Sequence, residues 1–217
     1  MHILVTSATL AEIKPFSTWL QQNKLFTLHE INLLITGVGC VQTTYMLTKE
    51  IANTKPDLVL QAGIAGSFPS GPTPGSVVGV KEDLFGDVGV EENNKWRDLF
   101  DLGLALGDNP PFANRLLINN SSGRFRTISS WVRAITVNEV TTSEKRMNML
   151  TEKYNPAVET MEGAAFHFVC LQEDVQFLQL RSISNTIGER DKSKWAIEEA
   201  IDALNRSVIS IIQHTGI

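Results

Sequence analysis

The sequence predicts a single-domain α/β protein, a three-layer α/β/α arrangement with helices on both faces of a central sheet. Three observations lead there. Short apolar runs (HILVT, INLLIT, DLVLQAG and VQFLQLRSIS) read as buried strands. Stretches of amphipathic helical period lie between some of them. The 217 residues contain no repeat, no low-complexity tract and no obvious linker, which fits one domain with a sizeable core.

HILVT is the first strand, and the stretch from Ala11 to Asn23 is the first helix. INLLIT and the turn after it lead into a second helix from Val41 to Asn53. DLVLQAG is the third strand. From Ser67 to Val140 the chain is rich in Gly, Pro and short β-like runs such as SVVGV, which predicts turns and strands. Within that region the acidic run EDLFGDVGVEENNKWRDLFD reads as a solvated loop or hairpin, and RFRTISSWVR as a strand with a polar face. A helix near Ser143 to Lys153, a short strand around Ala157 and a helix from Glu162 to about Leu171 follow. VQFLQLRSIS is the next strand, and Lys194 to His214 reads as a long helix. In sheets of this kind ligands lie beyond the carboxyl ends of the strands. Residues just past strand ends are therefore the first candidates for chemistry.

Composition narrows the classes of function. The chain is 42% hydrophobic and 20% charged, with a net charge of −5. That balance is ordinary for a globular protein and argues against nucleic-acid binding through a phosphate-neutralising face. MHILVTSATLAEI has only a short apolar run and no basic start, so it does not read as a signal peptide. No segment approaches the ~20 apolar residues that span a bilayer. Cys40 and Cys170 stand far apart and read as reduced thiols of a cytoplasmic protein. Neither they nor the four scattered histidines have metal-ligand spacing, so no metal site is expected. In ITGVGCVQTT, Val41-Gln42 stand where a dinucleotide fingerprint needs its third glycine. No cofactor is expected, and Gly37 and Gly39 read as a tight turn with close backbone approach.

Four segments could carry chemistry. Asn185 follows the last strand, where a carboxamide presents one acceptor and two donors in a plane. That pattern suits a 6-oxopurine edge, donating to O-6 and accepting from a protonated N-7; the alternative is a turn residue before Thr-Ile-Gly. In SATLAEI, Thr9 and Glu12 have the spacing of a capping box, while a carboxylate just past a strand end can also activate water. In QAGIAGS, the small Gly63, Ala65 and Gly66 either let backbone amides approach a sugar or anion or pack a strand end tightly. In VETMEGAAFHF, Glu162 opens a helix; its two oxygens fit a cis-diol such as the ribose 2′- and 3′-hydroxyls, or serve the helix dipole alone. Glu159, a second carboxylate, is expected on the opposite strand face.

Taken in order, ILVTSATLAEI, GVGCVQTT, PDLVLQAGIAGS, PGSVVGV, VNEVTTSE, TMEGAA and LRSISN resemble the nucleoside phosphorylase and nucleosidase superfamily over nearly the full chain. Within it, Asn185, the following TIGERDKSKW and the short chain are most similar to the futalosine hydrolases. The resemblance implies a nucleoside phosphorylase-like fold with a mixed central sheet. It also implies release of hypoxanthine from futalosine in the alternative menaquinone route. Glu12 then matches the water-activating base, Glu162 with Met161 the ribose-binding pair, and Asn185 the contact to the purine N-7. VNEVTTS matches the wall over the base, and Gly63 of QAGIAGS remains the candidate for a backbone contact to the substrate. Val140 departs from the nucleosidases, which often stack a phenylalanine on the purine there; Trp195 and Phe166 are candidates to replace it.

SATLAEIKPF has neither the glycine nor the arginine with which the hexameric phosphorylases hold phosphate, so hydrolysis is favoured. Arg190 is the candidate cation for the carboxyphenyl end of futalosine, with a surface pair to Asp191 or Glu189 as the alternative. The resemblance further implies a homodimer, a small-molecule nucleoside as substrate, and no nucleic-acid or membrane partner. Rival readings are a methylthioadenosine/S-adenosylhomocysteine nucleosidase, whose family has aspartate at the position of Asn185, and a 6-oxopurine nucleoside phosphorylase. From a different class comes a nucleoside-binding module without catalysis.

Overall fold

The computed structural model describes residues 1–23, 29–189 and 191–214, and the predicted alternation of strands and helices runs through them. The first half is built from β1 (His2–Ser7), α1 (Leu10–Asn23), β2 (Glu30–Ile35), α2 (Cys40–Thr54) and β3 (Leu58–Ser67). Short strands follow: β4 (Val77–Asp83), the hairpin β5 (Gly89–Glu92) and β6 (Lys95–Asp98), β7 (Leu117–Ile118) and β8 (Trp131–Thr136). The last part holds α3 (Glu144–Tyr154), β9 (Val158–Thr160), α4 (Gly163–Gln172), β10 (Phe177–Thr186) and α5 (Ile197–His214).

Strand alternation explains why the predicted strands are apolar throughout. Side chains along a strand point to opposite faces in turn, and here each face meets a different pair of helices. Ile3, Val5, Leu58 and Leu60 pack with Ile13 and Phe16 of α1 and Leu204, Val208 and Ile211 of α5. Leu4 and Val59, one step out of phase, pack with Leu47 and Ile51 of α2 and Phe166 and Val169 of α4. A strand covered on both sides needs no polar face. Each Leu or Ile buried this way contributes about 1.5–3 kcal/mol relative to exposure.

The sheet is mixed, in the order β10-β4-β8-β9-β3-β1-β2, with β7 added to β4 and β10 pairing also with β3. β3, β10, β4, β8 and β9 therefore close a ring, lined by Ala65, Val78, Val80, Ala134, Val158 and Ile183. β1 and β2 extend from it in parallel with β3. The sheet is thus open on the β1–β2 side, while the other end curls shut. Parallel pairing of β2, β1, β3 and β10 brings Ile35, Ser7, Ser67 and Thr186 to one edge, where the site lies.

Two local expectations change. RFRTISSWVR is a strand only from Trp131; Ser122–Arg124 forms a single 3-10 turn. The long helix begins at Ile197, because Asp191 caps a separate 3-10 turn, Lys192–Lys194, by accepting from Ser193 N at 3.0 Å. The acidic run forms the β5–β6 hairpin, turned by Asn93 and Asn94, both at positive φ.

Candidate active site

A cleft of about 410 Å³ at the carboxyl ends of β1, β3 and β10 is lined by Glu12, Val140, Met161, Glu162, Asn185 and Trp195, among others. Residues from both halves of the chain meet here because β3 and β10, far apart in sequence, are neighbours.

Glu12 stands in the first turn of α1 and serves the capping box as predicted. Its Oε2 accepts from Thr9 N at 3.0 Å and Thr9 Oγ1 at 2.8 Å. Its Oε1 reaches across and accepts from Ile64 N of β3 at 3.1 Å. Cap and site are the same carboxylate. The helix carrying it has Pro15 inside, which interrupts the backbone ladder. Asn205 of α5 bridges the opened turn: its Oδ1 accepts from Phe16 N at 2.9 Å and its Nδ2 donates to Glu12 O at 2.8 Å.

Glu162 is the N-cap residue of α4 and is buried. Its Oε1 accepts from Gly39 N at 3.0 Å. Gly39 has φ 90°, a conformation natural to glycine, and so the Gly-x-Gly turn serves this carboxylate rather than a dinucleotide. Its Oε2 faces Arg181 Nη1 at 3.7 Å. Burial raises the pKa of Glu162; the Arg181 charge and Gly39 N–H pull it back, and nearby Glu12 pushes it up.

Arg181 is the residue the sequence reading passed over. It lies on β10, 1% exposed, with Nη2 donating to Gln61 Oε1 at 2.7 Å. The Gln179 carboxamide satisfies its neighbours with its oxygen accepting from Arg181 Nε at 3.1 Å and its nitrogen donating to His167 Nε2 at 2.8 Å and Asp83 Oδ2 at 3.3 Å. His167 Nε2 is therefore an acceptor and Nδ1 the donor, to Leu117 O at 3.1 Å. Burial holds His167 down at about 4 and pushes Asp83 up to about 7. An arginine between Leu180 and Ile183 of a strand read as buried was the signal available in QLRSISN, since a buried charge requires partners. Gly63 leaves room for this group: a Cβ there would collide with Arg181 Nη1 and come within 3.2 Å of Glu12 Oε1. Gly63 itself stands behind the cleft, while Ile64, Ala65 and Gly66 line it.

A β-bulge aims Asn185. Between Ile183 and Asn185 the register of β10 on β3 slips, so that Asn185 rather than Ser184 stands opposite Gly66. Its Oδ1 accepts from Ser184 Oγ at 2.8 Å and its Nδ2 donates to Thr186 O at 3.1 Å. One acceptor site and one N–H remain for a ligand.

Val140 is 44% exposed and offers no aromatic face. Of the two aromatic substitutes, Trp195 lines the cleft, its Nε1 donating to Glu189 O at 3.1 Å. Phe166 does not; it is fully buried against Phe177 in the α2–α4 layer. Glu159 is a correction in the other direction. It lines the same cleft as Glu162, because its row of the sheet faces that side, and accepts from Thr141 N at 2.9 Å. Arg190 lies outside the described residues; of its proposed partners, Glu189 pairs with Lys194 at 2.9 Å and Asp191 caps Ser193.

Both cysteines are free, and burial pushes the Cys40 thiol up to about 12, so it is no nucleophile at neutral pH. Among the described residues no three His, Cys, Asp or Glu side chains converge as metal ligands, and no helix is long and apolar enough to cross a membrane. A second cavity of about 400 Å³ lies near the β5–β6 hairpin, but its charges are already paired, Lys153 with Asp98 at 3.0 Å and Arg115 with Asp101 at 2.8 Å. The first cleft combines a part-exposed carboxylate, a buried carboxylate beside a buried cation, and a carboxamide. It is equipped for acid–base work on a polar, flat ligand.

Residues 8–214 match the family model described as the phosphorylase superfamily. A futalosine hydrolase of Thermus thermophilus is 33% identical over 188 residues, covering 84% of this chain and 81% of that one. A futalosine hydrolase of Streptomyces coelicolor is 30% identical over 226 residues, covering 96% and 94%. In three dimensions the chain is similar to the native futalosine hydrolase of Helicobacter pylori, with a TM-score of 0.79 at 19% identity over 98% of this chain and 97% of that one.

Proposed function

The chain belongs to the phosphorylase superfamily, and on that footing we propose that it hydrolyses the N-glycosidic bond of futalosine to release hypoxanthine. One observation carries this reading: Glu12, Glu162 and Asn185 line a single cleft in a chain 33% identical to a futalosine hydrolase. Cleavage passes through an oxocarbenium-like ribosyl cation. Asn185 holds the departing base, donating to O-6 and bonding at N-7. A carboxamide supplies no proton, so the base takes one from solvent or leaves partly anionic. Glu162 accepts from the ribose diol, and its charge steadies the positive charge growing on the sugar. Glu12 takes a proton from the attacking water. Met161 and Val140 bound the sugar and base, Gly63 keeps Arg181 and Glu12 in place, and Arg190 is the cation for the carboxyphenyl end. The reaction needs no cofactor.

We place this activity in the cytoplasm, in the alternative menaquinone route, and in a homodimer. Val38, Val41 and Tyr45 support the last point: they are 48%, 81% and 65% exposed on and just before α2, with Val38 also lining the cleft. Sedimentation at the mass of one chain would remove the dimer from the proposal.

The deciding experiment is chromatography of reactions in phosphate-free buffer with futalosine, inosine and methylthioadenosine supplied separately. Hypoxanthine from futalosine and nothing from methylthioadenosine is expected. Adenine from methylthioadenosine would move the substrate to the nucleosidase class. A base released only after phosphate is added would make the reaction phosphorolysis, and no base under any condition would leave a binding module.

A further inference from the structure

Glu162 is backed by the Arg181 guanidinium and by the first turn of α4. Both lead to one carboxylate that the mechanism above does not use. Asp83, the last residue of β4, is fully buried. Its Oδ1 accepts from Leu84 N at 2.8 Å and from Thr136 Oγ1 at 3.0 Å. With its one proton given to Asp83, the Thr136 hydroxyl can only accept elsewhere, and it accepts from Ala164 N at 2.7 Å. Thr160, beside Thr136 in the pairing of β8 with β9, places its hydroxyl 2.9 Å away and is therefore the donor of that pair. Thr160 Oγ1 in turn accepts from Gly163 N at 3.2 Å. Two free N–H groups at the start of α4 thus meet hydroxyls whose direction Asp83 sets. The other arm runs through Gln179. Its nitrogen faces two acceptors, Asp83 Oδ2 at 3.3 Å and His167 Nε2 at 2.8 Å, which leaves its oxygen for Arg181 Nε at 3.1 Å. Gln179 and Arg181 are two apart on β10 and share a face. Arg181 is held further by Gln61 at Nη2 and turns Nη1 to Glu162 Oε2. Gly163 lets the arms meet: a Cβ there would collide with Asp83 Oδ2 and the Gln179 carboxamide.

We propose that Asp83 is a positioning residue for the reaction: its ionised carboxylate fixes the direction of both hydrogen-bond chains, and so the place of the Glu162 carboxylate against the ribose hydroxyls. The role rests on the futalosine reading given above. A carboxylate suits it because it accepts at both oxygens. An amide in its place cannot satisfy both arms. With its oxygen kept on Leu84 N and Thr136, the Asp83→Asn side chain turns an NH2 toward the Gln179 nitrogen. Gln179 must then turn over, which sets an N–H against Arg181 Nε and takes the donor away from His167 Nε2. Reversing the new amide instead sets its NH2 against Leu84 N. One chain breaks in either case. Burial pushes the Asp83 carboxyl up to about 7, against the pull of Thr136, Leu84 N–H, Arg181 and Gln179. Reactions are therefore compared at about pH 8.5, where the ionised form prevails.

The test sets Asp83→Asn against the hydroxyl that Glu162 holds. For parent and variant, kcat/KM is measured with futalosine and with its 2′-deoxy analogue. The ratio of the two values should fall roughly 10- to 100-fold in the variant, the worth of a hydrogen bond to a charged group. Comparing that ratio between two proteins cancels the different lability of the two glycosidic bonds. An aspartate that only stabilises the fold would lower both values together, and an unchanged ratio overturns the proposal. Should Asp83→Asn fail to fold, the hydroxyl arm decides. Thr136→Val removes the link to Asp83 with little change of outline and should lower the same ratio, and Thr136→Ser should restore it. Equal ratios in these two variants overturn the proposal. If the unaltered protein releases no hypoxanthine from futalosine, the functional reading fails and the role of Asp83 with it. If it does release hypoxanthine and the ratio is unmoved, only the role of Asp83 fails.

Discussion

Glu12 keeps both oxygens engaged within the protein, Oε2 by Thr9 and Oε1 by Ile64 N, so its place relative to β3 is set before a ligand arrives. Glu12→Gln keeps the shape and removes the base, but its NH2 replaces one accepting oxygen, so the bond from either Thr9 N or Ile64 N is lost. Turnover should fall by about 10²–10⁴-fold, the usual worth of general-base help, in single-turnover hypoxanthine release; intact turnover would reduce Glu12 to a cap. Asn185 is the other decisive residue. Asn185→Asp changes the donor pattern facing N-7, so hypoxanthine release should be lost, with gain toward adenine nucleosides. The check is the same assay on both bases, and an unchanged preference would refute the readout. Glu12, Glu162 and Asn185 were legible because each lies at or just past the carboxyl end of a strand in a segment with a local pattern. Arg181 and Glu159 were not: whether a residue inside a strand faces a site depends on sheet parity and pairing, which no local pattern records.

At the scale of elements, the placement of Glu12 depends on a repair made from far along the chain. Pro15 opens a turn of α1, and Asn205 of α5, itself 2% exposed, fills the opening. Asn205→Ala would leave a buried N–H and a buried C=O without partners. That should cost about 2–6 kcal/mol, taking one to three for each group, read as a lower urea midpoint with unchanged slope. A loss under 0.5 kcal/mol would mean that water takes over both bonds. The sequence announced both helices by their period, but not that Asn205 belongs to the geometry of Glu12. The bulge before Asn185 is of the same kind, since it exists only in the pairing of β10 with β3.

For the molecule as a whole, the buried polar chain from Asp83 through Gln179 and His167 to Arg181 and Glu162 links the ring of strands to the cleft. Its titrations predict an acid response. His167 is held at about 4 against an ordinary 6.5. In that window the unfolded chain binds a proton that the folded protein refuses, so stability falls as pH drops from 6.5 toward 4. Asp83, raised from 3.8 to about 7, works in the opposite sense, because the folded state holds its proton more tightly. Its contribution remains in a His167→Gln variant, which keeps hydrogen-bonding groups and cannot titrate. Urea unfolding at pH 7 and pH 4.5 should therefore show a smaller acid loss in the variant than in the parent. Equal losses would mean that the histidine titrates normally.

What the amino-acid order determined unaided was the layered α/β character, the order of its elements and the residues just past strand ends. These follow from side-chain periodicity and from capping and turn chemistry, which act within a few residues. Tertiary structure alone decided that the sheet closes into a ring, that Arg181 backs Glu162, and that Glu159 shares a row with Gly66 and Asn185. The physical reason is that strand pairing is nonlocal: which strands become neighbours, and in which register, is set by the burial of the whole core. A shift of one residue would turn every one of these side chains to the other face.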